Sequence, residues 1–422
     1  MDMVKLGDIA TIYNGNSINK TVKQQKYMKD VPGWNYIATK DVDFDGTVTY
    51  KNGVVIPFEE SGFKIAPAGS VFVCSEGGSA GRKTAIIKED VCFGNKLFAI
   101  VNTEKKFIEK YVYYYTRYEG FREQFKILAS TLMGGISAKN FGTIEIPLPS
   151  IESQKSVVDL LDDSLSQIDE GIETLIKTKE QLKVYRNAVL SEAFLGHFTK
   201  DRHVEAVIEC TSISDEELQK LPQIPNEWKY VPLAKLGDLG RGKSKHRPRN
   251  DERLFENGKY PFLQTSEVKA ATKYITEYSK MYGEFGLQQS KLWKAGTLCI
   301  TIAANIAETA FLGIDACFPD SVVGFTPNED INPWYIKYFI ESQKLRLWAF
   351  APATAQKNIN LDTLEKLIVP YCTLQEQNII VNEIENRMSV CDSIESTIEN
   401  ALVQAEALRQ SVLKKAFEGG LV

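Results

Sequence analysis

The sequence predicts an α+β protein: two similar α/β globular units joined by two long helices that pair as an antiparallel coiled coil, with approximate two-fold symmetry. Three observations predict it. The chain repeats itself, since residues 136–196 align with 359–419 at a constant offset of 223. Each copy ends in a helical segment with an apolar heptad seam. Ahead of each seam lies a stretch of short strand-like alternations broken by Gly and Pro.

The repeat is plainest at its ends. "QLKVYRNAVLSEAFLG" at 181–196 and "QAEALRQSVLKKAFEG" at 404–419 share seven of sixteen residues. "IEIPLPSIESQKSVV" matches "LIVPYCTLQEQNIIV". Upstream, "VKLGD" (4–8) pairs with "AKLGD" (234–238), and "KIAPAGSVFVC" (64–74) with "KLWKAGTLCIT" (291–301). Two copies of about 200 residues are too long and too few for a solenoid, so a duplicated domain pair is the reading. The expected boundaries are a globular unit over 1–150, a helix over 151–198, a linker and second unit over 199–372, and a helix over 373–422.

In the globular parts, "SVFVCS", "KTAII" and "TLCITI" alternate as strands, while "EKYVYYYTRYEGFREQF" and "PWYIKYFIESQKLRLWAF" carry aromatics at helical spacing. A packed core face explains those aromatics better than a base-stacking platform. The first seam runs through Val158, Leu161, Leu165, Ile168, Ile172, Leu175, Leu182 and Val189. Its partner runs through Val381, Ile384, Met388, Cys391, Ile398, Leu402, Ala405 and Val412. Lys179 and Arg186 interrupt the first seam and Arg409 the second. Thr373 with Glu376 forms a capping box, Ser150 can cap the first helix, and Gly196 and Gly419 stand where helices stop. Each helix would measure about 65 Å at 1.5 Å per residue.

Length leaves room for two or three full cores in 422 residues. No apolar run nears a membrane span and "MDMVKLGDIA" has no signal-peptide pattern, so a soluble cytoplasmic protein is expected. Seven cysteines without a C-x-x-C pair suggest buried small side chains, and with only His197, His203 and His246 to help, no metal is expected. The net charge of −5 argues against nucleic acid only as an average. Residues 151–195 hold nine Asp/Glu against five Lys/Arg and 374–418 hold eight against four, which leaves the globular parts net basic.

Three motifs need weighing. "GDLGRGKS" (237–244) fits the P-loop pattern, but "KHRPRNDE" follows it where a helix is required. A basic loop is the better reading. "NPWY" (332–335) is similar to the N-P-P-[YFW] signature of amino-methyltransferases, yet Trp334 replaces the second proline and no F-x-G-x-G loop precedes it. A helix start is expected instead. "GGSAGRKTAII" (77–87) is open between a tight hairpin and a loop whose backbone and Arg82 and Lys83 approach a phosphate. Basic and amide side chains suited to DNA gather in "RGKSKHRPRN", with Arg241, Lys243, Lys245, His246, Arg247 and Arg249. Asn16, Lys20, Lys23 and Lys26 stand at the corresponding place in the first copy, and Lys139, Gln356 and Lys357 add candidates from other loops.

With the repeat in place, the chain resembles the specificity subunit of type I restriction–modification systems. The resemblance rests on "IPLPSIESQ", "VPYCTLQEQ", the two "VL-x-x-AF-x-G" helix ends, "IPNEWKYVPLAKLGDL" and "TAQKNIN". Departures are small: Ser153-Gln154 stands for Glu-Gln in the first copy, and no Trp-containing lead-in precedes Val4. The resemblance implies a non-catalytic subunit in which each globular unit is a target recognition domain for one half of a bipartite, asymmetric DNA sequence. The paired helices would set the spacer and dock two modification (methyltransferase) subunits, which restriction subunits join. S-adenosylmethionine, ATP and Mg would sit on those partners, with no cofactor on this chain, no metal and no membrane contact. The competing readings are a coiled-coil scaffold whose globular units bind proteins and, further off, a P-loop ATPase.

Overall fold

The computed structural model describes residues 2–28, 31–131, 136–200, 204–208, 213–350 and 358–419. They form two units, one of residues 1–177 with 398–422 and the other of residues 178–397. Each long helix is therefore shared, giving one end to each unit.

The duplication read from sequence is a duplication of topology. The first unit holds a four-stranded antiparallel sheet in the order Thr11–Asn14, Leu97–Val101, Val71–Cys74, Thr84–Ile86. The second repeats it as Gly237–Arg241, Val322–Pro327, Leu298–Thr301, Thr309–Leu312, and adds Tyr274–Ile275 at the edge. A smaller mixed sheet follows the same plan in both. It is Val55–Pro57, Gly33–Ile37, Val91–Phe93, Ile65–Ala66 in one unit and Lys280–Tyr282, Tyr260–Phe262, Ala316–Cys317, Leu292–Trp293 in the other. The strands are short and their inward residues fully buried, with Val71 to Cys74 and Leu298 to Thr301 all inaccessible. The six described cysteines are buried small side chains with no disulfide.

The aromatic helices pack as core. Tyr111, in Glu109–Arg117, and Tyr335, in Pro333–Ser342, are buried, and each hydroxyl donates to the carbonyl of a strand proline: Pro147 at 2.8 Å and Pro370 at 2.6 Å. Asn332 caps the second of these helices by accepting from the Trp334 amide, with Pro333 at its first turn, so "NPWY" is a helix start.

The long helices span Ile151–Phe194 and Leu374–Phe417, 44 residues each. Ser150 and Thr373 cap them through the Ser153 and Glu376 amides at 3.3 and 3.4 Å. Gly196 and Gly419 stop them with φ of 81° and 86°, the left-handed conformation glycine adopts freely. Of the seam, Val158, Leu161, Leu165, Leu182, Val189, Val381, Ile384, Cys391 and Ile398 are buried and the remainder half-buried. In each unit the start of one helix packs on the end of the other. Val158, Leu161 and Leu165 share a core with Leu413, Ala416 and Phe417 in the first unit, and Ile380, Val381 and Ile384 with Leu190, Ala193 and Phe194 in the second. The pairing is antiparallel. No helix among the described residues is long and apolar enough to cross a membrane.

The charges that interrupt the seam are cross-helix partners. Arg186 meets Asp392 at 2.6 Å and Glu395 at 3.2 Å, Lys179 meets Glu395 at 3.5 Å, and Arg409 meets Asp169. Arg186 and Arg409 are repeat equivalents, as are Asp169 and Asp392, so one Arg–Asp contact is made once in each unit.

Each helix is also locked to its globular unit by one buried glutamine. Gln154 accepts from the Ile108 amide at 2.9 Å and donates to the Pro149 carbonyl at 2.9 Å; Gln377 accepts from Asn332 at 2.8 Å and donates to Cys372 at 2.8 Å. The neighbouring position differs between copies. The buried carboxyl group of Glu376 accepts from the Trp228 indole at 3.0 Å and from the Thr373 hydroxyl at 3.1 Å. Ser153 holds that place in the first copy and brings no carboxyl that needs an indole donor. Trp228→Phe should therefore destabilise the second unit by about 1–3 kcal/mol, the cost of leaving a buried acceptor short of a donor. Adding Glu376→Ser should recover part of the loss. Urea unfolding followed by circular dichroism reads both, and a Trp228→Phe variant as stable as the parent would show that the bond has no net weight.

Candidate nucleic-acid interface

Strand register decides where the predicted basic loops lie. In the first unit Asn14 pairs with Phe98, Cys74 with Leu97 and Val73 with Thr84. The loop after Asn14 and the turn 75–83 thus leave the same end of the main sheet. In the second unit Arg241 pairs with Val323, Thr301 with Val322 and Ile300 with Thr309. That puts the loop after Arg241 and the turn 302–308 at the equivalent end, where Ala303 also bridges to Asn358. Asn16 to Lys26, Arg82 with Lys83, and Arg241 to Arg249 therefore occupy one topological edge, in two copies.

The second-unit loop is shaped by part of its own charge. The Arg247 guanidinium donates to the Ser244 and His246 carbonyls at 2.5 and 2.8 Å. His246 contacts the Asp251 carboxylate at 2.7 Å, and Arg253 binds the same carboxylate at 2.7 Å. Arg253, and after it His246, hold the Asp251 carboxyl well below the usual carboxylate range. A depressed carboxyl stays ionised until acid reaches its folded value, so the clasp is closed at neutral pH. Arg241 donates to the Asp320 carbonyl at 3.0 Å and Arg249 pairs with the Asp320 carboxylate at 2.9 Å, an exposed contact of the kind worth about 0–1 kcal/mol. Lys243 and Lys245 are exposed and have no carboxylate in ion-pairing range among the described residues. The loop is a fixed backbone with two outward lysines and two arginines that a phosphate can recruit.

This geometry also disposes of the P-loop. The strand Gly237–Arg241 is followed by irregular chain and then a single 3-10 turn at Glu252–Leu254, so no helix N-terminus faces the motif. Gly242 is a glycine for another reason: a Cβ there would lie 2.3 Å from the Phe318 and Pro319 carbonyl oxygens.

In the first unit Asn16 is half committed. Its amide donates to the Gly62 carbonyl at 3.1 Å and accepts from the Lys64 amide at 2.8 Å, which clamps the 62–64 loop and leaves one N–H to offer. Lys20 is exposed; Lys23 sits 4.9 Å from the Tyr36 ring; Lys26 pairs with Glu60 at 2.7 Å. "GGSAGRKTAII" is a hairpin turn between Val71–Cys74 and Thr84–Ile86, and Arg82 and Lys83 each stand 5.1 Å from the Phe44 ring. Lys139 is exposed on the turn Ala138–Phe141, whose Phe141 stacks on Phe98 at 4.5 Å. Gln356 and Lys357 lie outside the described residues. Sequence reasoning missed Phe44, Arg117 and Arg122, which line one cleft with Arg82. They are scattered over three segments, and both arginines flank aromatic core helices, so no local charge run marks them.

The chain matches the family described as "Type I restriction modification DNA specificity domain" twice, over residues 1–182 and 225–404. It belongs to that family. Among relatives, it is 24% identical over 430 residues to the type I restriction enzyme EcoBI specificity subunit of Escherichia coli, covering 99% of this chain and 85% of that one. It is 24% identical over 372 residues to the EcoKI specificity subunit of Escherichia coli strain K12, covering 85% and 76%. Among solved structures, a chain from a study of complex assembly and conformational transition of the type I R-M system shares the fold. Its TM-score is 0.75 at 15% identity, covering 99% of this chain and 97% of that one. The HsdS subunit from Thermoanaerobacter tengcongensis matches with a TM-score of 0.59 at 17% identity, covering 99% and 96%.

For a member of the type I specificity family, Lys243→Ala is expected to weaken DNA binding at most and to leave no nucleotide phenotype. Calorimetric titration of ATP into the purified chain should give no saturable heat. Saturable ATP binding that disappears in Lys243→Ala would restore the P-loop reading.

Proposed function

We propose that this chain is the non-catalytic, sequence-specific DNA-binding subunit of a cytoplasmic type I restriction–modification complex. Each globular unit reads one half of a bipartite, asymmetric target; residues 1–150 and 199–372 are the two reading domains. The helices over 151–198 and 373–422 set the separation of the half-sites and carry the docking sites for two methyltransferase subunits. Restriction subunits complete the nuclease, and S-adenosylmethionine, ATP and Mg bind those partners.

One observation carries the reading of DNA by both units. Two copies of one topology present basic loops from the same end of the main sheet, in a chain whose family is described by DNA specificity. The exposed cations there are Lys20 and Arg82 in one copy and Arg241, Lys243, Lys245 and Arg249 in the other, with half-buried Lys83 beside Arg82 and exposed Lys139 on a separate turn of the first copy. Cations fix position on a phosphate backbone, and neighbouring amide and arginine groups read base edges.

A second observation supports docking of a partner in two copies. The paired helices carry an apolar groove in each unit, and the grooves are repeat equivalents. Leu182, Tyr185, Val390 and Ile394 line one, while Ala405, Leu408, Gln167 and Gly171 hold the same positions in the other. Val390 and Leu408 are 60% and 53% exposed, more than an apolar side chain on a solvated helix gains from.

Methylation mapping in cells that express this chain with its methyltransferase partner tests the proposal. The expected result is a bipartite motif that vanishes with this chain, and of which one half alone changes when residues 1–150 are exchanged for another such domain. Change in both halves would sink the modular reading. DNA affinity that stays flat from low to physiological salt would instead favour a protein-binding scaffold.

A further inference from the structure

We propose that the cleft of the first unit lined by Phe44, Arg82, Arg117 and Arg122 is a phosphate clamp for the DNA backbone. This rests on the DNA-binding reading above and adds a site to it. The cleft, about 740 Å³, lies between the 42–48 loop, the turn 75–83, the aromatic helices and the long helices of that unit.

Its lining carries four arginines against three carboxylates, and the arginines with unused donors make it an anion site. Its acidic residues from the long helices, Asp169 and Glu406, are both engaged by Arg409, the latter at 3.3 Å. The Asp45 carboxylate, the third acid there, accepts from the Thr47 amide at 2.8 Å. Two arginines, Arg82 and Arg117, have no carboxylate in range among the described residues, and a third, Arg122, has one only at long range. Arg82 lies against Phe44, whose ring is 52% exposed, and has no carboxylate in ion-pairing range among the described residues. Arg117 donates to the Tyr113 hydroxyl at 3.1 Å and is likewise without a carboxylate in range among them. Arg122 reaches Glu119 only at 3.6 Å, and its Nε is buried without a hydrogen-bond partner. Guanidinium groups bind phosphate oxygens in forked pairs and are weakly hydrated, so converging arginines with donors to spare match a phosphodiester. Arg82 is at the reading end of the sheet, so the clamp continues the surface that faces DNA.

Among the described residues of the second unit, the corresponding place has a different charge pattern. Its equivalent turn ends in Glu308, paired with Lys344 at 2.8 Å, and Glu341, paired with Lys337 at 2.5 Å, lines the corresponding cleft. Lys269 is the further cation lining that cleft, and no arginine lines it among the described residues.

The test is DNA affinity of the assembled complex with its methyltransferase subunits across a salt series, on the mapped target duplex and on a scrambled one. Arg82→Gln, Arg117→Gln and Arg122→Gln should each lower the slope of log affinity against log salt by about one. Both duplexes should lose affinity by a similar factor, and the methylated motif should not change. Arg82 is exposed, so its variant keeps the test valid if the half-buried positions disturb folding. Unchanged slopes in variants that melt like the parent would overturn the clamp, and so would an altered motif, which would make these residues base readers. Saturable binding of inorganic phosphate without any change in DNA slope would also overturn it. If the parent complex shows no DNA affinity, the DNA reading itself falls and the clamp with it.

Discussion

The pairing of the two long helices is the constraint on which the rest of this structure depends, and its register is held by one contact made twice. An arginine within an apolar seam must find a carboxylate or lose its solvation for nothing. Arg186 is 25% and Arg409 13% exposed, and each reaches an aspartate of the other helix, Asp392 or Asp169. Both carboxylates are largely in water, so each contact adds little stability. Its effect is on alternatives. Sliding the helices by a turn would separate Arg186 from Asp392 and Arg409 from Asp169 together, just as a polar seam residue fixes register in shorter coils. A duplicated sequence needs such a device, because two similar apolar seams otherwise tolerate several alignments.

From that seam outward, each unit is assembled by the same small set of fasteners. The amide of Gln154 or Gln377 ties a helix start to the loop before an aromatic helix. The phenylalanine that ends the other long helix then enters the same aromatic helix from the side. Phe417 meets Tyr111 and Tyr115 at 5.2 and 5.1 Å, and Phe194 meets Tyr335 and Phe339 at 5.1 and 5.2 Å, mostly edge to face. Such pairs add about 0.5–1.5 kcal/mol beyond the area they bury. The repeated "AF-x-G" ending is thus a docking plug: the helix that leaves the first copy is seated in the core of the second unit, and the reverse.

Much of this was legible in the sequence because it is periodic or repeated. Heptad spacing found the seam, capping residues and glycines found the ends, and the constant offset found the two units. Function at the family level followed from motifs that the structure shows to be fasteners, "SQ" and "EQ" above all. What escaped was long-range. Arg186, Lys179 and Arg409 read as interruptions of the seam, because their carboxylate partners lie more than 200 positions away along the chain. Asn16 read as a DNA-contact candidate, and its commitment to partners at 62–64 in a distant loop was not visible. Arg117 and Arg122 carry no local signature at all. A loop sequence states which charges exist, and only the fold states which of them are already used.

That distinction separates the two copies. Their frames agree strand for strand apart from the added edge strand Tyr274–Ile275, and the fasteners recur at equivalent positions. The loops that leave the basic end of the main sheet do not agree. The first copy presents Arg82 and Lys83 around Phe44, whereas the second presents a glutamate already paired and moves its basic charge to 241–249. A frame under tight packing constraint tolerates few changes, since core substitutions cost several kcal/mol. Loops that leave the sheet into solvent tolerate many. Duplication followed by drift confined to loops leaves two units of one topology whose loops carry different charges.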